Sequence, residues 1–181
     1  MVQQLYDLPL EQLQTYKPEL TMPDDFHEFW LSTTDELNRV PLTYELEPYD
    51  YPCLGVNVYQ IRYPGFNEAA IEGWLAIPAH PGPHPGLVLY HGYNSAPDGN
   101  LHDTVVWAMR GYAALQMLCR GQQGGSVDNV VPDHGNFTGW MSKGILSKDQ
   151  YYYRAVYMDA VRALEVLASF EEVDPSRIGV H

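Results

Sequence analysis

The chain has 181 residues, of which 45% are hydrophobic, and it carries a formal net charge of -13. This length and composition suffice for a folded domain with a real core, and they exclude a disordered chain. An acidic chain repels nucleic-acid phosphates and anionic lipid, so we expect no nucleic-acid or membrane partner and favour a neutral substrate.

The N-terminal residues contain neither a basic region nor an apolar segment of the kind found in signal peptides. No apolar stretch approaches the length of a membrane span. Cys53 and Cys119 are far apart in the sequence, and we expect both to be reduced core residues. These features predict a cytoplasmic location.

The first half of the chain predicts an arm, a helix and three strands. Residues 1–20 are polar and have too little apolar surface to fold alone, so we expect an arm that lies across the domain or against another subunit. Thr21 is a possible cap for the helix that follows, in which aromatic residues recur at helical spacing. Alternating polar and apolar residues predict strands at 42–49, 55–63 and 71–78, which form an antiparallel entry to a sheet.

From residue 86 onward, predicted strands and helices alternate, which indicates right-handed crossovers and a mostly parallel sheet. The strands are expected at 86–90, 112–118 and 177–180, and the helices at 103–110 and 152–170. A turn is expected at 174–176, and the glycine-rich residues 120–150 form a loop that is long enough to be functional. We find no linker, so residues 1–181 are interpreted as a single domain. The last helix carries one apolar stripe, made by Val156, Ala160, Val161, Leu164, Leu167 and Ala168.

The predicted strand 86–90 ends in the polar turn His91-Gly92-Tyr93-Asn94. Gly92 is expected to let the backbone turn where a Cβ would interfere. In α/β-hydrolases, this position supplies a backbone N–H that stabilises the negative carbonyl oxygen formed during acyl transfer. An ordinary strand-to-loop exit is the alternative interpretation of this pattern taken alone. If the first interpretation holds, residues 86–94 lie at the carboxyl edge of a parallel sheet, beside the exit of segment 177–180.

Short motifs in a fixed order extend along the chain from residue 5 to residue 180. They are Leu5-Tyr6-Asp7-Leu8-Pro9-Leu10, Tyr16-Lys17-Pro18, Asp25-Phe26-His27-Glu28-Phe29-Trp30, Gly82-Pro83-His84-Pro85, His91-Gly92-Tyr93-Asn94, Arg120-Gly121-Gln122, Gly139-Trp140-Met141-Ser142-Lys143-Gly144-Ile145-Leu146, Tyr151-Tyr152-Tyr153-Arg154 and Arg177-Ile178-Gly179-Val180. This combination resembles the acetyl xylan esterase / cephalosporin C deacetylase family (carbohydrate esterase family seven) of α/β-hydrolases. The resemblance implies an α/β-hydrolase fold.

The resemblance also implies roles for individual residues. The backbone N–H of Tyr93 would be one oxyanion donor, and the residue after the nucleophile would supply the other. Arg120 and Gln122 would lie below the active site and hold its loops by hydrogen bonds, and His91 and Gly92 would support the turn. A surface salt bridge is the alternative for Arg120, and simple turn packing is the alternative for Tyr93. No cofactor is expected.

By resemblance, the parent enzyme is a serine esterase that removes acetyl groups from acetylated xylo-oligosaccharides and cephalosporin C. Relatives are homo-oligomers, often hexamers, whose active sites face an inner cavity. The arm 1–20 and the loop 120–150 are therefore candidates for subunit contacts.

No serine of the sequence lies in a G-x-S-x-G nucleophile elbow, and the nearest match, at 124–128, ends in Asp. In the family, the Arg-Ile-Gly-Val motif leads into Gly-Gly-Ser-Gln-Gly, whereas this sequence reaches His181 where a small residue is expected. We therefore expect an α/β-hydrolase fold that is incomplete, with the nucleophile, acid and histidine of the triad absent. Such a chain leaves sheet edges and apolar helix faces uncovered, and alone it should be poorly stable and inactive.

Other functions remain open at this level. One alternative is a different α/β-hydrolase, such as a peptidase or a dienelactone-type hydrolase, and another is a non-catalytic truncated product that binds or oligomerises. His91, His102, Asp103 and His134 lack the spacing typical of metal ligands, so no metal site is expected.

Overall fold

The computed structural model describes residues 7–94, 101–135 and 139–181. Its strands are β1 (Glu45–Pro48), β2 (Val56–Pro64), β3 (Ala70–Pro78), β4 (His84–Tyr90), β5 (Ala113–Met117) and β6 (Val173–Val180). Its helices are α1 (Leu10–Leu13), α2 (Phe26–Asn38), α3 (Leu101–Met109) and α4 (Tyr152–Ala168). None of the helices in these ranges is both long and apolar enough to cross a membrane.

The strands form a six-stranded sheet in the order β1-β2-β3-β5-β4-β6. The first three strands pair antiparallel, as predicted, and β3 also pairs antiparallel with β5. Strand β4 lies between β5 and β6 and is parallel to both. The described sheet is therefore mixed: its strands from residue 86 onward are parallel, as predicted, and β5 lies between β3 and β4, where it is antiparallel to β3.

Apolar residues on both faces of the central strands explain why helices cover the sheet on both sides. Every residue of β5 is buried, as expected for a strand that packs on two faces. Val88 and Leu115 belong to the core that α4 covers, whereas Ala76 packs on the opposite face with Val105 of α3. The carboxyl edge of β4 is consequently held between two layers of helix.

Three element boundaries differ from the sequence predictions for local reasons. Helix α2 begins at Phe26 rather than after Thr21, and its N-cap is Asp25. Pro23 disfavours helical backbone at the residue before it, which delays the start of the helix. The expected turn at 174–176 lies inside β6, where the pairing shifts in register opposite Pro85. The predicted strand 42–49 shortens to the four residues of β1.

The buried face of α4 differs from the predicted stripe. Val156 and Leu167 are buried as expected, but the other four residues of the stripe are only half-buried, and they are Ala160, Val161, Leu164 and Ala168. Three charged residues take part in the buried face instead, and they are Arg154, Asp159 and Arg162. The helix packs against both the sheet and α2, so its buried surface is wider than one apolar stripe, and the charges inside it are paired.

Residues 7–20 are exposed along their whole length, with α1 as a single short turn of helix. The expectation that the arm 1–20 lies across the domain or against another subunit stays a prediction. Within residues 120–135 and 139–150, the helical structure is limited to a short 3-10 turn at Trp140–Ser142.

Candidate active site

The turn formed by residues 91–94 lies at the carboxyl edge of the parallel part of the sheet. Strand β4, which leads into it, pairs in parallel with β6, so that Val88 is opposite Val180. The Tyr90 N–H donates to the His181 carbonyl, and the His181 N–H donates to the Val88 carbonyl, each over 2.9 Å. The turn is therefore beside the exit of β6, where the sequence places it.

His91 joins the ends of two neighbouring strands. Its Nε2 accepts a hydrogen bond of 2.9 Å from the backbone N–H of Cys119, which follows β5. A backbone N–H can only donate, so the ring proton is on Nδ1, which lies 2.8 Å from the Gly92 carbonyl. Both ring nitrogens are thus engaged in holding the turn.

Gly92 does not turn the backbone for the predicted reason. A Cβ added there would meet no heavy atom of the described residues within 4 Å, and its φ is not in the left-handed region. That conformation is found instead at Asn94, with φ of 49°. The backbone reversal is consequently placed on an Asn, a residue type that tolerates left-handed backbone better than most.

Gln122 holds Asn94 in this conformation. Its Oε1 accepts the Asn94 N–H over 2.9 Å, and its Nε2 donates to the Tyr152 hydroxyl over 2.8 Å. The Tyr152 hydroxyl in turn donates to the Arg120 carbonyl over 2.7 Å. A chain of side-chain hydrogen bonds therefore connects α4 to the 91–94 turn.

Arg120 is fully buried, so the alternative of a surface salt bridge is wrong. Its Nε and Nη2 donate to the two carboxylate oxygens of Asp159 over 2.6 and 2.8 Å, and Nη2 also donates to the Phe66 carbonyl over 2.8 Å. Burial alone would lower the pKa of Arg120, but the hydrogen bonds and charge of Asp159 outweigh it and the pKa is raised. This planar two-bond pairing fixes the end of β5 against α4.

Tyr93 is half exposed, and its hydroxyl accepts a hydrogen bond of 3.0 Å from the backbone N–H of Trp140. The Tyr93 N–H makes no hydrogen bond to the described residues. A cavity of about 360 Å³ opens beside the turn. Its lining combines the ends of β4 and β5 with α3, and the residues are Leu89, Tyr90, His91, Gly92, Asp103, Val106, Trp107, Arg110, Gln116 and His181.

A larger cavity, of about 450 Å³, is lined by residues between 132 and 150 and shares none with the turn. We assign the candidate site to the smaller cavity, because its lining includes His91 and Gly92 of the turn and His181 at the exit of β6, at the carboxyl edge of the parallel strands.

Comparison with known proteins agrees with this geometry. The family model for acetyl xylan esterase (AXE1) matches residues 3–181. The chain belongs to the acetyl xylan esterase family.

Two solved acetyl xylan esterases are similar to the chain over nearly all of its length. The one from Paenibacillus sp. R4 is 42% identical, with a TM-score of 0.88 over 96% of this chain and 56% of that protein. The one from Thermoanaerobacterium sp. JW/SL YS485 is 28% identical, with a TM-score of 0.88 over 97% of this chain and 55% of that protein. A curated relative, the acetyl esterase Axe7A of Xylanibacter ruminicola, is 25% identical over 91% of this chain and 38% of its own length. This family member thus spans about half the length of its solved relatives, and its sheet has the α/β-hydrolase type of architecture.

Ser126 is the serine closest to an elbow motif, and it has a structural role in this member of the acetyl xylan esterase family. Ser126 is buried, and its Oγ donates to the Leu118 carbonyl over 2.7 Å while accepting the Glu72 N–H over 2.8 Å. In the part of the chain that the structure describes, no serine hydroxyl is hydrogen-bonded to a histidine. Ser95 lies outside the described residues.

The histidines that were considered as metal ligands do not converge. His91 is engaged as described above, and His102 Nδ1 lies 3.2 Å from the Tyr51 hydroxyl. Within residues 7–94, 101–135 and 139–181, no group of three or more His, Cys, Asp or Glu side chains could hold a metal ion.

Sequence reasoning misses two side chains that support the site in this family member, Asp159 and Tyr152. Asp159 falls among the apolar residues of α4, and an acid on a buried helix face is a signal of a buried cationic partner. Tyr152 lies in a run of three tyrosines, and nothing in the run distinguishes the one that is buried. Cys119 is buried, as expected, and burial raises the pKa of its thiol to about 12, so it remains protonated.

Proposed function

We propose that this chain forms the oxyanion-binding part of a serine esterase that removes acetyl groups from small acetylated substrates. The observation that carries the proposal is the position of the Tyr93 N–H, at the carboxyl edge of the sheet and beside the exit of β6. In an α/β-hydrolase, the nucleophile follows the strand next to this turn. Family membership supports the same chemistry.

In the proposed reaction, a serine hydroxyl attacks the acetyl carbonyl while a histidine takes its proton. The carbonyl oxygen becomes negative, and the Tyr93 N–H is one of two backbone donors that stabilise it. The C–O bond to the sugar then breaks, and the histidine returns the proton to the departing hydroxyl. Water hydrolyses the acetyl-serine and releases acetate. The serine, acid and histidine are supplied by residues that follow His181 in a longer protein, and the present chain alone should not turn over.

The proposed substrates are acetylated xylo-oligosaccharides, with the acetyl ester of cephalosporin C as a second example. The names of the two solved relatives, both acetyl xylan esterases, support the first. The net charge of -13 disfavours anionic polymers and is compatible with neutral sugars. No cofactor is needed for this chemistry.

We further propose that the full-length protein is a homo-oligomer in the cytoplasm, hexameric as the family resemblance implies, and that residues 1–181 belong to one domain. Exposed apolar side chains in both candidate contact segments support the oligomer, and the largest exposures are those of Leu20, Val131, Leu146, Leu10 and Ile145. Cys53 and Cys119 are both free, which is compatible with a reducing compartment.

The test is hydrolysis by the product of the complete reading frame. We expect saturable release of p-nitrophenol from p-nitrophenyl acetate and of acetate from acetylated xylo-oligosaccharides, and no saturable turnover by this chain alone. Preferential cleavage of peptides or dienelactones by the longer product would contradict the proposal. Equal saturable turnover by this chain would contradict the assignment of the nucleophile to later residues. Size-exclusion chromatography of the longer product with and without this chain tests the non-catalytic, oligomer-binding alternative.

A further inference from the structure

Tyr152 contacts two residues outside the 91–94 turn that hydrogen-bond to it, Gln122 and Trp140. Its hydroxyl accepts a hydrogen bond from Gln122, whose Oε1 holds the Asn94 N–H. Its ring lies 5.0 Å from the ring of Trp140, whose backbone N–H donates to the Tyr93 hydroxyl. The Tyr152 side chain thus contacts both Gln122, which binds the Asn94 backbone, and Trp140, which binds the Tyr93 hydroxyl.

The Tyr152 hydroxyl has a fixed hydrogen-bond direction. It donates over 2.7 Å to the Arg120 carbonyl, which can only accept, so its oxygen is left as an acceptor for Gln122. Tyr152 is 2% exposed, and burial raises the pKa of its hydroxyl, so the proton is retained at neutral pH. Burial in the core cluster keeps the ring from rotating away.

Because the Tyr152 hydroxyl donates to Arg120 and accepts from Gln122, it sets the orientation of the Gln122 amide. With Nε2 engaged by Tyr152, Oε1 faces Asn94 and accepts its N–H over 2.9 Å. A flipped amide would place its NH₂ group against the Asn94 N–H, and two donors would face each other. Asn94 has left-handed backbone with φ of 49°, a conformation that needs support from its surroundings.

We propose that Tyr152 is a positioning residue for the 91–94 turn: it orients the Gln122 amide, and the amide fixes the peptide that follows Tyr93. The catalytic consequence rests on the proposed function, because the peptide fixed in this way adjoins the proposed oxyanion donor. The hydrogen-bond chain itself does not depend on that function.

The first experiment measures amide hydrogen exchange at Asn94 by NMR in the longer reading-frame product. Tyr152→Phe keeps the ring against Trp140 and removes only the hydroxyl, and we expect Asn94 to exchange about tenfold faster. Leu115, in the centre of β5, should keep its protection and thereby show that the sheet remains folded. Unchanged exchange at Asn94 would overturn the proposal.

A double-mutant comparison shows whether Tyr152 acts through Gln122. If it does, Gln122→Ala alone and Gln122→Ala with Tyr152→Phe should give the same Asn94 exchange rate. Independent, multiplying effects would contradict the proposed chain. Tyr63→Phe is the matched control, because Tyr63 is equally buried in the same core and its hydroxyl has no partner among the described residues. Tyr63→Phe should leave the exchange rate of the Asn94 amide unchanged.

The second experiment uses the longer reading-frame product with p-nitrophenyl acetate. Tyr152→Phe should lower kcat about tenfold with KM changed less than twofold, because the turn acts on the transition state. Faster exchange at Asn94 with unchanged kcat would reject the catalytic consequence. Absence of acetyl-ester hydrolysis by the unmodified product would reject the proposed function, while the exchange data would still decide the role of Tyr152.

Discussion

His91 Nε2 accepts the backbone N–H of Cys119 over 2.9 Å, and this contact joins the carboxyl ends of two parallel strands, β4 and β5. It also specifies one neutral tautomer of the imidazole, in which Nδ1 carries the proton and faces the Gly92 carbonyl. A histidine next to the candidate oxyanion donor therefore acts as a brace for the turn.

Replacement of His91 by Leu should destabilise the chain, because the part-buried Cys119 N–H loses its acceptor. We expect a loss of about 1–3 kcal/mol in the free energy of unfolding, measured by urea titration of the longer reading-frame product, as for the variants below. His102→Leu is the matched control, because His102 is exposed and its one hydrogen bond to the described residues is with the Tyr51 hydroxyl, and it should change stability by less than about 0.5 kcal/mol. Equal losses in the two variants would contradict the brace.

Arg120→Lys should be strongly destabilising although the charge is kept. Lysine cannot reproduce the two parallel hydrogen bonds to Asp159 together with the one to the Phe66 carbonyl. Breaking a buried pair typically costs about 3–5 kcal/mol, and we expect the lower part of that range in a urea titration. Arg39→Lys, at an exposed site after α2, should be neutral, and a similar loss there would show that the effect is not specific to the buried pair.

Gly125→Ala should destabilise the segment that follows β5. An added Cβ would lie 2.5 Å from Glu72 Oε1, and the Gly125 N–H donates to the same carboxylate. Moving a largely buried Glu that also pairs with Arg62 should cost about 1–3 kcal/mol by thermal or urea unfolding. In Gly179→Ala, the new Cβ makes an ordinary contact of 3.8 Å with Leu87, so stability should be nearly unchanged. A loss in Gly179→Ala as large as that in Gly125→Ala would remove the steric explanation.

Asp174, in the irregular part of β6, should titrate with a pKa of about 2. The main cause is the hydrogen bond of 2.7 Å from the Ser176 hydroxyl, followed by that of 2.6 Å from Arg177. Because the folded pKa is lowered, the stabilisation is present above pH 4 and is lost as the pH falls toward 2. Carboxyl ¹³C shifts should give this value in the unmodified chain and a higher one in Ser176→Ala. Arg177→Gln should also raise it, because the variant loses the guanidinium hydrogen bond and its charge, and an unchanged pKa in either variant would contradict the assigned cause.

The local pattern of the sequence determines the central strands and the place of the 91–94 turn. A short apolar run followed by a glycine-containing polar turn predicts a strand and the place where it ends. Burial and backbone hydrogen bonding depend there on only a few neighbouring residues. The order of short motifs likewise indicates the acetyl xylan esterase family, and the family model confirms it.

Tertiary structure alone decides which distant groups meet. Periodicity along α4 predicts an apolar stripe, yet Asp159 is buried beside Arg120, which precedes it by 39 residues. An acid in an apolar helix needs a buried partner, but the helix pattern cannot select among the ten Lys and Arg residues of the chain. Likewise, the insertion of β5 between β3 and β4 depends on long-range strand pairing. The spacing of residues within one element carries no information about such pairings, because strands distant in sequence stabilise one another only once the whole sheet has formed.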